Sequence, residues 1–509
     1  MTTINSLSTR LHPADNVVVA RSDILPGTEI PGENVRAAEH IPAGHKIATA
    51  PVASGEPLRK DDQIIGFASG AIAPGDHVHT HNVDMKDFTR DYAAGSEARD
   101  TAYVRAAERA RFMGYKRAHG KVGTRNYIGV LSTVNCSATV ARYVAERYGG
   151  HALADYPNVD GVVAISHGSG CGLDGGGEGM ALLRRTLAGY ARHPNFGGII
   201  FVGLGCEVAL LGQFVNNEGL EMGPLLQAMT IQDTGGTRAT IEDACQRIDA
   251  MLPEVNKATR TEQPASELIL GLECGGSDAY SGISANPSLG AAVDLLVRHG
   301  GTGVLGETPE IYGAEHLLTR RAVNGDVAGR LIERIKWWED YVALHHGAMN
   351  NNPSPGNKAG GLTTILEKSL GAAAKGGTTN LVEVYGYAEP VTAKGFVFMD
   401  TPGYDPVSVT GMVAGGANML CFTTGRGSVF GCKPVPCIKL ATNTAMYERM
   451  AEDMDINCGP VVDGGATIAD MGEHIFRMVL DIASGAPSKS EALGFGDDEF
   501  VPWQIGAVM

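Results

Sequence analysis

The chain has 509 residues, more than one ordinary hydrophobic core accommodates, so two to four domains are expected. Hydrophobic content of 43% with 19% charged residues marks a folded chain, and a formal charge of -16 argues against nucleic acid or an anionic membrane surface as a partner. The polar start at residues 1–10, the lack of an apolar run near 18 residues and an odd count of 9 cysteines predict a protein without export signal or membrane span, its thiols reduced in the cytoplasm.

Residues 13–84 carry a short repeat: Ile24-Leu-Pro-Gly-Thr-Glu-Ile30, Ile41-Pro-Ala-Gly-His-Lys-Ile47, Val52-Ala-Ser-Gly-Glu-Pro-Leu58 and Ile72-Ala-Pro-Gly-Asp-His-Val78. Each places a glycine midway between two apolar residues, a strand–turn–strand beat whose turn needs a positive φ. A small all-β domain over residues 1–84 follows. His77, His79 and His81 alternate and so share one face of a strand. Three imidazoles on one face can bind a metal or an anion; a solvated polar face gives the same pattern. Residues 85–112, charged and alanine-rich, read as a linker.

From Gly114 onward strands and helices alternate, the mark of βαβ units and an α/β fold. A middle domain at 113–262 has strands expected at 127–133, 161–166 and 198–203, with helices at 138–147, 181–192 and 240–251. A polar stretch at 256–266 marks the boundary to a last domain at 263–509. There the candidate strands 268–272, 303–306, 380–384, 396–400, 419–423 and 435–440 predict a parallel sheet of about six or seven. The first of them runs into Glu273-Cys-Gly-Gly-Ser-Asp278 and then a helix at 289–298, with Asn286 as cap and Pro287 at its first position. This puts Cys274, Ser277 and Asp278 at the carboxyl end of a strand, where open α/β sheets bind ligands. The same grammar delivers Cys136, His167, Cys171, Cys206 and Glu307 to strand exits.

Gly301-Thr-Gly-Val-Leu-Gly306 has the spacing of a dinucleotide loop but enters a strand instead of leaving one, and no phosphate-binding loop or Cys-x-x-Cys pair is present. Cys136, Cys171, Cys206 and Cys274 sit in glycine-flanked polar loops. They are either buried small hydrophobes or soft ligands for iron or a similar metal, whereas Cys421 lies inside a strand pattern and reads as core. Lys358 ends the turn at 352–361, and Arg426 lies in the loop Thr423-Thr-Gly-Arg-Gly427. His167 or Lys358 could serve as a base, and Arg426 could grip a carboxylate or tie its own loop.

These loops resemble the altronate/galactarate dehydratase family over nearly the whole chain. The resemblance rests on Gly123-Thr-Arg-Asn126, Cys136, His167 with Gly170-Cys171, Gly203-Leu-Gly-Cys-Glu207, Leu272-Glu-Cys-Gly-Gly-Ser-Asp278, Ser281-Gly-Ile-Ser-Ala-Asn-Pro287, residues 352–361, Glu367-Lys-Ser-Leu-Gly371 and Thr423-Thr-Gly-Arg-Gly427. It implies an amino-terminal β-clip (SAF) domain, a middle domain used in homodimerisation, and a Rossmann-like last domain. It also implies dehydration of a six-carbon sugar acid to a 2-keto-3-deoxy acid with divalent iron. A cluster held by cysteines is the alternative to a single Fe2+, and a non-catalytic sugar-acid binding protein is the alternative to an enzyme. On this reading His167, Lys358, Arg426, Ser277 and Asp278 are the catalytic candidates, and Cys171, Cys206, Cys274 and Cys136 the metal candidates. Asn286, Asn357, Thr424, Glu307, His77 and His79 complete the substrate contacts.

Overall fold

The computed structural model describes residues 3–4, 7–208 and 211–506, so parts of the polar start and the last three residues lie outside it. The amino-terminal module is built on an antiparallel sheet in which β1 (Val17–Ala20) pairs with β2 (Lys46–Ala48), and β2 with β3 (His77–Val78). The repeat supplies its turns: Gly27, Gly44, Gly55 and Gly75 all have φ between 79° and 94°. Bridges Ile24–Ile41 and Val52–Ile72 join successive repeats in antiparallel fashion. Each repeat thereby buries its leading apolar residue.

The segment read as a linker is strapped to the last domain, with backbone bonds from Gly95 to Thr319, Glu97 to Arg320 and Val104 to Arg298. It then forms a strand, Arg111–Lys116, that pairs with Thr261–Pro264 across the expected boundary.

The middle region is a parallel sheet of β4 (Tyr127–Ser132), β5 (Gly161–Ile165), β6 (Phe196–Gly203) and β7 (Leu226–Thr230), in the order β5-β4-β6-β7. The sequence reading missed β7, whose half-buried Leu-Gln-Ala-Met-Thr lacks the continuous apolar run of its neighbours. Helix α1 (Asn135–Glu146) leaves β4 directly.

The last domain carries seven parallel strands: β8 (Ile269–Cys274), β9 (Thr302–Leu305), β10 (Leu381–Tyr385), β11 (Gly395–Met399), β12 (Met419–Thr424), β13 (Cys437–Ala441) and the short β14 (Ile456–Asn457). Their order is β10-β11-β9-β8-β12-β13-β14, every pair parallel. From β8 the chain steps to β9 on one side and later returns to β12 on the other. The exits of β8 and β12 are therefore the topological switch point.

Helix α2 (Ala285–Arg298) begins earlier than the sequence suggested. Asn286 lies inside it rather than capping it, because its amide is held across the sheet exit. Thr423 Oγ1 donates to Asn286 Oδ1 at 2.6 Å, and Asn286 Nδ2 donates to the Gly371 carbonyl at 2.8 Å. Helix α3 (Ile365–Ala374) covers the same end of the sheet. The two sheet regions share apolar contacts: Leu187 and Tyr190 join Met412 and Val413 in one buried cluster. Gly189 allows this approach, since a Cβ there would lie 2.3 Å from the Ala414 carbonyl oxygen.

Candidate active site at a domain seam

At the switch point the two glycine loops are stitched together. Gly425 and Arg426 both donate backbone N–H bonds to the Gly276 carbonyl, at 3.1 and 2.8 Å. Only glycine fits at position 425, where a Cβ would stand 2.1 Å from the Asp278 carboxyl carbon. Asp278 is buried and fully engaged: it accepts from Ser281, from Thr442 Oγ1 at 3.0 Å and from Asn443 Nδ2 at 3.1 Å. Burial pushes its carboxyl up, and these donors act in the opposite direction. It is thus placed to hold the loops together. Asn357 closes a capping box with Ser354 and donates Nδ2 to the Ser277 carbonyl at 2.8 Å, tying the short helix Pro355–Ala359 to the same turn. Thr424 Oγ1 accepts from the Gly427 N–H at 3.1 Å.

The amino-terminal module docks on this turn. The β2–β3 pairing brings His45, absent from the sequence-based candidates, beside His77 and His79. His45 Nδ1 lies 2.9 Å from His77 Nε2, and the His45 and His79 rings are 4.6 Å apart. Ligand nitrogens of all three lie within 4.8 Å of one another, and the buried Nδ1 of His79 has no hydrogen-bond partner. His45 Nε2 reaches the Ala359 carbonyl at 3.4 Å. The next residue, Gly360, packs against Arg426: a Cβ there would lie 3.3 Å from Arg426 Cδ. Lys358 and Arg426 therefore flank the turn that the histidines touch, and neither charged end has a partner among the described residues.

On the opposite face of β2, Lys46 is fully buried. Its ammonium donates to the Gly361 carbonyl and pairs with Glu367 at 2.9 Å, while Lys60 pairs with the same carboxylate at 2.8 Å. Burial alone would push Glu367 up, but Lys46 and Lys60 hold it well below the usual carboxylate range. This side of the seam opens into a cavity of about 570 Å³ whose lining includes Lys60, Ser277, Asp278, Asn286, Glu367 and Lys368. That volume falls within the range of small-molecule sites, roughly 300–1,000 Å³.

Beneath it lies a buried ionic network at the exits of β8 and β9. Lys375 donates to Glu307 at 2.6 Å, Lys368 donates to Glu310 at 2.7 Å, and the Cys274 sulfur lies 3.4 Å from Glu310 and 3.6 Å from Glu307. Burial, then Glu307, pushes the Cys274 thiol well above its usual range, so it serves as a neutral donor to the carboxylates. Burial and then Glu307 likewise keep Glu273 protonated, and a proton between them would give a partner to Glu273 Oε1 and Glu307 Oε1, which otherwise have none.

The other cysteine candidates do not join Cys274. Cys136, Cys171 and Cys206 sit at the exits of β4, β5 and β6 on the other sheet. His167 is there too, with both ring nitrogens engaged by backbone: Nε2 with the Ser132 carbonyl at 3.1 Å and Nδ1 with the Ser169 N–H at 3.1 Å. Burial lowers its pKa to about 4. Sequence reasoning missed His45, Glu310, Lys368 and Lys375. The Glu367-Lys-Ser-Leu-Gly371 stretch was the one available signal for part of this set.

The histidine cluster carries a pH signature. Burial first, then neighbouring His45, lowers His77 and His79 from 6.5 to about 3 and about 4. Both are neutral near pH 7, the form that binds metals. The unfolded chain takes up protons near pH 6.5 that the folded chain refuses until about pH 4, so stability falls as pH drops through that window. Thermal melting of metal-free protein should show this fall, with a shallower slope in His79→Asn. Equal slopes would contradict the assignment.

Comparison with known proteins places all three regions. The altronate/galactarate dehydratase SAF domain matches residues 7–86, the D-galactarate dehydratase/altronate hydrolase second domain matches 114–256, and the D-galactarate/altronate dehydratase carboxyl-terminal domain matches 265–508. Galactarate dehydratase (L-threo-forming) of Escherichia coli (strain K12) is 37% identical over 484 residues, covering 94% of this chain and 92% of the relative. Altronate dehydratase of Bacillus subtilis (strain 168) is 33% identical over 485 residues, covering 94% and 95%, and that of Escherichia coli (strain K12) is 34% identical over 493 residues, covering 96% and 97%. No helix among the described residues is long and apolar enough to cross a membrane. With every region matched in order, the chain belongs to the D-galactarate/altronate dehydratase family of carbon–oxygen lyases.

Proposed function

We propose that the protein dehydrates a six-carbon sugar acid of the galactarate or altronate type to a 2-keto-3-deoxy acid at the module seam. The observation that carries this reading is the meeting of three neutral imidazoles with the turn that bears Lys358 and packs on Arg426. His45, His77 and His79 fit a divalent ion such as Fe2+: their nitrogens are close enough, uncharged, and one is unpartnered. An ion bound there would supply Lewis acidity toward a substrate oxygen.

The remaining work falls to the chain. The C2 proton beside a carboxylate is weakly acidic and needs a positioned acceptor. Lys358 takes it at its amine. Arg426 grips the substrate carboxylate through its planar fork, which holds the C2–H bond toward that amine. The Lys358 ammonium returns its proton to the C3 hydroxyl, which departs as water as the C2–C3 double bond forms, and the enol left behind becomes the 2-keto product. Lys368, kept charged by Glu310, adds positive potential at the sheet exit, where the enediolate develops.

A panel of altronate, galactarate, glucarate and related acids, offered to protein reduced in the presence of Fe2+ and read as 2-keto acid formation, should give one strongly preferred substrate. A panel without any keto product would overturn the reading.

A further inference from the structure

A smaller cavity, of about 180 Å³, lies where three separate segments of the chain meet. The amino-terminal module lends it Arg59, Asp62 and Gln63, from the hairpin that pairs Pro57–Lys60 with Gln63–Ala68. The strap at 85–112 adds Arg90 and Asp91, and the last domain adds His316 and Arg320. Three guanidiniums thus line it against two carboxylates, although the chain as a whole carries a formal charge of -16.

The polar groups gathered here are underused. His316 is 8% exposed and the Arg90 side chain 9%, yet His316 Nδ1, Arg90 Nε and Arg320 Nε are all buried without a hydrogen-bond partner. A buried polar atom left unpaired costs free energy, so three of them around one cavity point to a ligand. The acids that neutralise these arginines do not line it: Glu315 takes Arg90 Nη1 at 3.2 Å, and Glu97 lies 3.7 Å from Arg320 Nη1. Arg59 donates Nη1 to the Asp62 carbonyl at 3.3 Å and has no ion-pair partner among the described residues. Of the two acids that do line it, Asp91 already accepts from the Ala93 N–H at 3.1 Å. His316 Nε2 lies 2.9 Å from Gln63 Oε1, an acceptor, which places the ring proton on Nε2 and leaves Nδ1 as a lone pair. Burial first, then Arg320 and Arg90, lowers the His316 pKa to about 4, so the ring is neutral near pH 7.

We infer that this cavity binds inorganic phosphate, which fastens the amino-terminal module and the strap to the last domain. Hydrogen phosphate suits both kinds of partner: its bare oxygens accept from the guanidiniums, and its O–H donates to His316 Nδ1. Sulfate has no proton to give at neutral pH and is the poorer match. The volume is well below the roughly 300–1,000 Å³ usual for organic ligands, so a phosphate ester has little room. The hairpin links this site to the seam. Arg59 and Lys60 are adjacent on one strand and point to opposite faces, and Lys60 is the residue that pairs with Glu367 at 2.8 Å. The phosphate-binding residues include none of the seam histidines, nor Lys358 or Arg426, so the inference stands apart from the proposed reaction.

The test is equilibrium dialysis of the full chain against radiolabelled inorganic phosphate at about pH 7.5, where hydrogen phosphate predominates. Wild type should bind one phosphate per chain, saturably, with sulfate the weaker competitor. Arg59→Gln and Arg320→Gln should each weaken phosphate by about 10-fold or more, the weight of one charge-assisted hydrogen bond. His316→Leu should abolish the preference over sulfate. Arg36→Gln, which removes only an exposed pair with Glu29, should bind as wild type does. If a variant fails to fold, tryptic digestion of wild type decides: phosphate should slow cleavage within residues 85–112, and sulfate or chloride at equal ionic strength should not. Binding that does not saturate, equal affinity in all variants, equal competition by sulfate, or unchanged cleavage would overturn the proposal. No turnover enters these readouts, which separates their failure from any failure at the seam.

Discussion

Lys375→Met should cost about 3–5 kcal/mol of apparent stability, the penalty for stranding a buried charge by removing its partner. Lys375 and Glu307 are both fully buried, and their 2.6 Å contact is the direct ion pair of that carboxylate. Burial pushes Glu307 up, yet Lys375 holds it below its usual value. The pair also stabilises a strained backbone, since Glu307 has φ 63° and ψ 59°, a left-handed conformation that a residue with a side chain adopts at some expense. Its N–H is fixed by Thr401 Oγ1 at 2.6 Å, and its Oε2 accepts from the Cys274 N–H at 3.2 Å, so the carboxylate ties the exits of β8 and β9 together. Without the ammonium, Glu307 must take up a proton or open the site to water. Thermal melting measures the loss, and the double change Lys375→Met with Glu307→Gln should recover part of it by removing the stranded charge. A Lys375→Met midpoint equal to wild type would show that Glu307 is neutral in the native protein.

Much of this arrangement can be read from residue order, and the limits have physical causes. The repeat of an apolar residue three positions before a glycine marks turns that need positive φ, and all four of those glycines, Gly27, Gly44, Gly55 and Gly75, have it. Apolar runs ending in polar glycine loops mark parallel strands, and six of the seven in the last sheet lie where the runs are. What residue order does not show is which sheet an exit belongs to. Cys136, Cys171, Cys206 and Cys274 follow the same grammar, yet three gather on one sheet and the fourth is buried on the other, because strand order is set by crossovers and not by local pattern. His45 was hidden for a related reason. It lies 32 residues from His77, and only antiparallel pairing of β2 with β3 makes them neighbours. Lys368 and Lys375 sit on and just after α3 and look like ordinary polar positions of a helix; their role appears when α3 covers the carboxylates at the strand ends. Asn286 has the sequence of a cap but is drawn into the helix by its bonds to Thr423 and Gly371.

Lys358→Met should lower kcat by about 10²–10⁴-fold, the usual contribution of a positioned proton-transfer group. The helix that carries it is fixed without its amine: Ser354 and Asn357 form the capping box, Asn357 anchors to Ser277, and the Gly361 N–H donates to the Lys358 carbonyl at 2.9 Å. Methionine keeps the length and apolar stem of lysine, so the melting temperature and the metal content should stay at wild-type values. The change should fall on kcat with KM nearly constant, since the amine acts on the C2 proton and not on the carboxylate that anchors the substrate. Arg426→Ala should show the complementary pattern, a raised KM with a smaller loss in kcat. Exchange of the C2 hydrogen with deuterated solvent gives the sharper readout: wild type should wash deuterium into recovered substrate, and Lys358→Met should not. If Lys358→Met exchanges that hydrogen at the wild-type rate, Lys358 is not the base, and Lys60 and Lys368, which line the cavity side of the seam, are the next residues to change.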